Sequence, residues 1–535
     1  MAAQLLDIFG FLSVLLRACT LALNSLVLGG AGFLTIVRPA GAPQISVRRL
    51  IFCSALALAL VQLCYVSINS MVLVETAGLQ LQELAGADFF RAGLAAALAA
   101  AVIAILTARP SGVGWELAVP AAIVLSALVL TSHAAGRLEH RPALSALAVL
   151  HQGAAAVWIG GLPHLLLALR RCADNTAAGR LCARFSRLAA LSVIVLAASG
   201  TFMSKMYVGS IRAIYGTSYG AMVATKGMLL AMTLCLGALN FLIVRQPAAH
   251  SRLFARLRRF AEAEAGIGFT AILAAASLTS QPPAIDLPES PVSRAEVVQR
   301  MRPRWPGLET PPLNALSPPT PLNFDRTPQL AGLQSFVPGT AYHPNTPGDI
   351  AWSEYNHHWA GLIVLAVGFL AVLAQSGRAR WARHWPLAFL GLAAFLFLRS
   401  DPENWPLGPR SFWQSFAVAD VLQHRVFVLL IVAFAAFEWS VRTGRIVSRG
   451  AGYVFPAVCA IGGALLLTHT HALSNIKEEL LVELTHLPLA VLAVAAGWSR
   501  WLELRLPASQ RQIPAWIWPM CFVLIGTLLL NYREG

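Results

Sequence analysis

The chain has 535 residues, 57% of them apolar and only 12% charged, with a mean hydropathy of +0.64. Soluble chains are about half apolar and about a quarter charged, so a water-soluble enzyme, a disordered chain and a fibrous repeat are excluded. The net charge of +15 rests on arginine, since Lys205, Lys226 and Lys477 are the only lysines; in a membrane protein such an excess marks cytoplasmic loops and not a nucleic-acid partner.

A spanning helix needs about 20 mostly apolar residues. Eight such blocks precede residue 281, at 8–36, 49–74, 89–107, 115–132, 144–168, 185–206, 221–244 and 265–280. Six follow residue 357, at 358–376, 385–398, 421–441, 452–468, 481–499 and 513–531. The pattern predicts an all-α polytopic integral membrane protein of about 14 transmembrane helices, in bundles of 8 and 6. The expected domains are 1–280, a linker at 281–357, and 358–535. The linker holds 15 of the 31 prolines and almost no apolar periodicity, so it reads as irregular or polyproline-like chain.

Arginine clusters follow alternate blocks: Arg48 and Arg49, then Arg170, Arg171, Arg180, Arg184 and Arg187, then Arg245 through Arg259, and onward to Arg500, Arg505 and Arg511. Loops of this one parity hold 23 of the 40 basic residues. By the positive-inside rule these loops are cytoplasmic. Both termini and the linker then face outward. The first block lacks a basic start and is long, so no cleavable signal peptide is expected.

With that orientation, His133, His140, His151, His343, His357, His358, His424, His469, His471 and His486 fall at outer loops or outer helix ends, and only His164, His250 and His384 do not. Imidazole is the commonest metal ligand near neutral pH. His133 ends one block and His151 opens the next across a short loop, so the two rings are expected at one outer boundary. His469 and His471, followed by His486, repeat the arrangement at similar spacing, as a diverged internal repeat would. Helix capping and headgroup anchoring are the ordinary alternatives for each of these residues. Met203 and Met206, at i and i+3, add soft thioethers that suit Cu(I), although methionine is also plain filler. Glu479, Glu483 and His486 share a helix face, Asp420 and His424 form an i, i+4 pair of structural type, and Lys226 is expected to snorkel. The candidate metal residues are therefore His133, His151, His469, His471, His486, Met203 and Met206.

The eight cysteines include no CxxC pair and lie mostly in apolar blocks, as buried small residues do. No GxxxxGK[ST] phosphate loop, CxxCH haem motif or HExxH zinc helix occurs. The chain is expected to use no nucleotide, to carry no catalytic residues and not to be an enzyme.

The stretch His151-Gln152-Gly153-Ala154-Ala155-Ala156-Val157-Trp158-Ile159-Gly160-Gly161 resembles the copper resistance protein D (CopD) family. So do Arg184-Phe185-Ser186, Ser199-Gly200, Tyr219-Gly220 and Lys226. The C-terminal half resembles the extension of the longer members at Asn356-His357-His358-Trp359, Gln423-His424-Arg425, Thr468-His469-Thr470-His471 and Glu483-Leu484-Thr485-His486. The resemblance implies an inner-membrane protein that takes copper, as Cu(I) or Cu(II), from the periplasm, often beside a small periplasmic copper-binding protein. His133 and His151 are the first positions to carry such a role. Two other readings remain at this point: a membrane haem oxidoreductase with histidine axial ligands, and a metallation or assembly factor for a copper oxidase.

Overall fold

A computed structural model of the chain describes residues 2–37, 44–109, 114–172, 175–245, 251–279, 281–286, 292–316, 346–417, 419–468 and 477–534. Its residues fall into two units, Met1–Ser290 with Leu467–Thr470, and Pro291–Leu466 with His471–Gly535. Among the described residues there is helix and turn and no strand.

The first unit contains α1 (Ala2–Gly32), α2 (Ile45–Ala77), the short α3 (Leu81–Leu84), α4 (Asp88–Ala108), α5 (Ala118–Leu130) and the one-turn α6 (His133–Gly136). Then come α7 (Arg141–Ala155), a π turn (Ala156–Gly160), α8 (Gly161–Leu169), α9 (Asn175–Val208), the short α10 (Ile211–Gly216), α11 (Ser218–Val244) and α12 (Ser251–Leu278). α1 lies centrally, against α2, the π turn, α8 and α12. Small residues let these helices approach: α4 turns Ala92, Gly93, Ala96 and Ala100 inward, while Leu98 and Ile105 stay exposed as lipid-facing residues. Polar side chains close onto their own backbone, as when Thr225 and Thr233 donate to carbonyls one turn back.

Gly160 is what allows α1 to cross. A Cβ there would sit 1.8 Å from the Ser25 carbonyl oxygen, so only glycine fits the contact. The π turn that carries it also widens the helix at Trp158, which is fully enclosed.

The second unit contains α13 (Arg294–Met301), α14 (Pro347–Gln375), α15 (Phe389–Arg399), α16 (Ala419–Arg442), α17 (Val454–Thr468), α18 (Lys477–Arg505) and α19 (Gln512–Leu530). Its core is aromatic, with Trp385, Phe455, Trp518 and Phe522 in one cluster. The Arg442 guanidinium lies 5.1 Å from the Trp385 ring and 5.2 Å from that of Trp518, and pairs with Glu438 at 2.6 Å. A cation enclosed in this way is neutralised and faced by π electrons, which makes its burial tolerable.

Among the described residues, twelve helices are long and apolar enough to cross a membrane, and two shorter apolar helices, Trp115–Leu130 and Ala451–Leu467, lie where the fourth and twelfth blocks were expected. The chain is thus an all-α polytopic membrane protein. The linker reads differently in its described parts. Ser293 and Glu296 form a capping box that starts α13, and Thr346 with Asp349 does the same for α14, which begins well ahead of residue 358. The segment 292–316 is also held to the chain's end: Arg300 donates to the Glu534 carbonyl at 2.9 Å, and Arg533 to the carbonyls of Gln299 and Arg302. Proline content hid these caps because the signals are single side chains, not periodic patterns.

Candidate metal centre

The end of α5 and the start of α6 place His133. Arg17, buried on α1, donates to the Thr131 hydroxyl at 2.8 Å and its carbonyl at 3.2 Å, which fixes where α5 stops. The His133 Nε2–H donates to the Leu278 carbonyl at 3.3 Å, so the neutral ring keeps its lone pair on Nδ1. Burial holds the imidazole below its usual value of 6.5, opposed by the Leu278 carbonyl and assisted by the Arg17 charge. The ring is therefore neutral around pH 7, the form a metal requires.

Its surroundings are apolar and soft. The His133 ring meets the Tyr219 ring edge-on at 6.5 Å, Tyr219 packs on Tyr207 at 6.2 Å, and Met203 and Met206 lie against the same cluster. Arg137 and Asp286 close the rim with an ion pair of 2.9 Å. The methionines reach this position because α9 presents Ser199, Met203 and Met206 at i, i+4 and i+7, one face of a helix.

His151 sits further along that face. Its Nδ1 lies 3.2 Å from the Ser199 hydroxyl, which itself donates to the Val195 carbonyl at 2.6 Å. Because the hydroxyl proton is committed, Ser199 accepts from Nδ1–H, and the His151 lone pair is left on Nε2. Lys226, on α11, lies within electrostatic reach of this ring and is partly buried. His133 and His151 thus do not share partners. His133 is held at Leu278 and Tyr219, and His151 at Ser199 on α9. For a metal ion held at His151, Ser199→Ala is expected to weaken binding by about tenfold to a hundredfold, the usual cost of losing a group that orients a ligand. Competition titration of the purified variant against a copper chelator checks this, and unchanged affinity would remove Ser199 from the account.

The second unit places His486 beside His357, with ring centroids 5.8 Å apart and Tyr532 stacked on His357 at 3.7 Å. Each ring has Nδ1 on a carbonyl one turn back, His357 on Ser353 at 2.8 Å and His486 on Val482 at 2.9 Å. In both neutral rings Nε2 is then the unprotonated nitrogen. His358 is different: carbonyls of Gly307 and Tyr532 face its two nitrogens at 3.1 and 3.0 Å, which makes it a structural clamp. His424 pairs with Asp401 at 2.7 Å, a partner 23 positions back that the i, i+4 reading missed. His469 and His471 lie outside the described residues. His164, at the opposite end of its helix from His151, is enclosed and hydrogen-bonded to the Leu26 carbonyl at 2.9 Å. Among the described residues no three His, Cys, Asp or Glu side chains come together as a metal cluster. What the first unit offers instead is single imidazoles and thioethers.

Sequence reasoning passed over Ser199 and Tyr219 as ligand-positioning residues, although both stand in the family-like stretches. A hydroxyl one helix away from an imidazole leaves no local spacing signal.

Comparison with known proteins bears on this region. Residues 179–278 match the family described as Copper resistance protein D, a stretch that includes Ser199, Met203, Met206 and Tyr219 and begins after His133 and His151. A Bacillus subtilis (strain 168) protein named Copper transport protein CutJ is 32% identical over 162 residues, which is 30% of this chain and 29% of that protein. The match therefore spans less than a third of the relative's length. No solved structure matches the chain. Within the first unit of this membrane protein, residues 179–278 are thus similar to the Copper resistance protein D (CopD) family.

Proposed function

We propose that the protein moves copper through its first unit, taking part in copper uptake, homeostasis or resistance at a bacterial inner membrane. Copper enters at the level of His133, where Met203 and Met206 supply soft donors, and passes to His151 one station further in. The observation that carries this reading is the packing of both thioethers against the cluster edged by His133. Few-coordinate imidazole and thioether sets suit Cu(I), whereas zinc sites are usually closed by four N, S or O ligands. The relative's name supports copper as the cargo.

In this account the histidine-bearing ends and both termini face the periplasm. There a small copper-binding protein hands over the ion, and the arginine-rich loops face the cytosol. His486 with His357 in the second unit forms a separate imidazole pair. The protein performs no chemical conversion.

Metal analysis of detergent-purified full-length protein, together with its visible spectrum, tests the assignment. Bound copper without a Soret band is expected. A Soret band would favour the haem-carrying alternative, and protein that takes up no copper would overturn the proposal.

A further inference from the structure

Glu264 is a carboxyl at membrane depth that copper binding does not use. It lies in the membrane-spanning part of α12, Phe254–Leu278, and is 4% exposed. Both of its oxygens accept from neutral donors: the Trp158 indole N–H reaches Oε1 at 2.8 Å, and the Asn240 amide reaches Oε2 at 2.8 Å. An ionisable side chain in this position is costly and commonly has a task. A structural carboxylate would be expected to carry a cationic partner, as Glu438 does in Arg442. No ion pair to Glu264 is found among the described residues.

The charged and titratable groups of the surrounding helices are engaged elsewhere. On α1, Arg17 binds Thr131; on α8, His164 binds the Leu26 carbonyl; on α11, Lys226 lies toward His151; on α12 itself, Arg259 pairs with Glu262. Arg256 lies over the Phe260 ring, and Arg258 is further back on the same helix. Trp158 and Asn240 are therefore the groups that face the carboxyl.

Asn240 suits both forms of that carboxyl. Its NH2 donates to a carboxylate, and turning the amide over would present Oδ1 to accept from a protonated one. Oδ1 is buried with no hydrogen-bond partner. Gly237 leaves room beside the pair, since a Cβ there would stand 3.2 Å from Glu264 Oε1.

We infer that Glu264 is a proton-exchanging site, which loads and releases one proton as the first unit cycles and so couples copper movement to a proton gradient. Loading forms the carboxyl O–H bond with a proton from water at one face. Release breaks it and returns the proton to water at the other, and no electron moves. Counter-movement of one proton makes the passage of a monovalent cation electroneutral, in a chain with no GxxxxGK[ST] nucleotide-binding loop. The coupling rests on the copper reading; the exchange of the proton does not.

The test uses the full chain in lipid vesicles. Infrared difference spectra over a pH jump without copper are expected to show a carboxylic C=O band, absent in Glu264→Gln and shifted in Asn240→Leu. If the wild type shows no band that the glutamine variant lacks, proton exchange at Glu264 is overturned. Copper addition to vesicles holding an entrapped pH dye is expected to move protons in the wild type. Glu264→Gln is expected to lose that movement while it keeps the same copper bound per chain. Proton movement that persists in the glutamine variant would overturn the coupling. Wild-type protein that binds no copper but keeps the carboxyl band would overturn the copper reading, and the coupling with it, leaving proton exchange standing.

Discussion

Replacing His133 and His151 together by alanine is expected to remove copper from the first unit, with a loss of affinity of about a hundredfold or more. Disturbing only the groups that orient metal ligands already costs about tenfold to a hundredfold, and this variant removes the ligating nitrogens themselves. The two single variants separate the stations. His133 is anchored on Leu278 and Tyr219, His151 on Ser199, and no partner is shared. Effects at sites without common partners add within about 0.5 kcal/mol. Two independent losses in chelator competition would therefore be seen, summing in the double variant. A double variant that binds as much copper, as tightly, as the wild type would exclude both histidines.

The second large effect concerns folding. Gly160→Val is expected to leave little monodisperse protein, because the added carbon atoms would enter the Ser25 carbonyl and force α1 off the π turn. Overpacking of a close helix contact costs about 1–3 kcal/mol and sometimes more. Here the obstacle is backbone, which cannot rotate away. Gly227→Ala is the control: nothing lies within 4 Å of its added carbon, so its thermal midpoint should change little. Size-exclusion profiles and melts in detergent compare the two. Wild-type behaviour of Gly160→Val would mean that α1 does not cross as described.

The same glycine shows what the sequence could tell and what it could not. Apolar blocks of spanning length were legible directly, since a bilayer sets their minimum size, and every expected block has a helix at its place. The stretch from His151 to Gly161 was recognisable as a pattern, but its reason, the passage of α1 over Gly160, is a contact across more than 130 residues. The start of α12 was read too late. Its arginines and Glu262 masked the first turns, so Glu264 fell at the edge of the eighth block and drew no attention, whereas the helix places it inside. His133 and His151 were read as neighbours from a short loop. Their partners differ, Leu278 and Tyr219 for His133 and Ser199 for His151, and spacing alone does not carry that.

The central claim is that copper is held by imidazole together with thioether in the first unit. X-ray absorption at the copper edge, on the Cu(I)-loaded full-length protein, tests it most directly. Scattering from nitrogen and from sulfur is expected, with the sulfur contribution lost in Met203→Leu/Met206→Leu while the nitrogen contribution remains. A wild-type spectrum fitted by nitrogen and oxygen alone would contradict the claim.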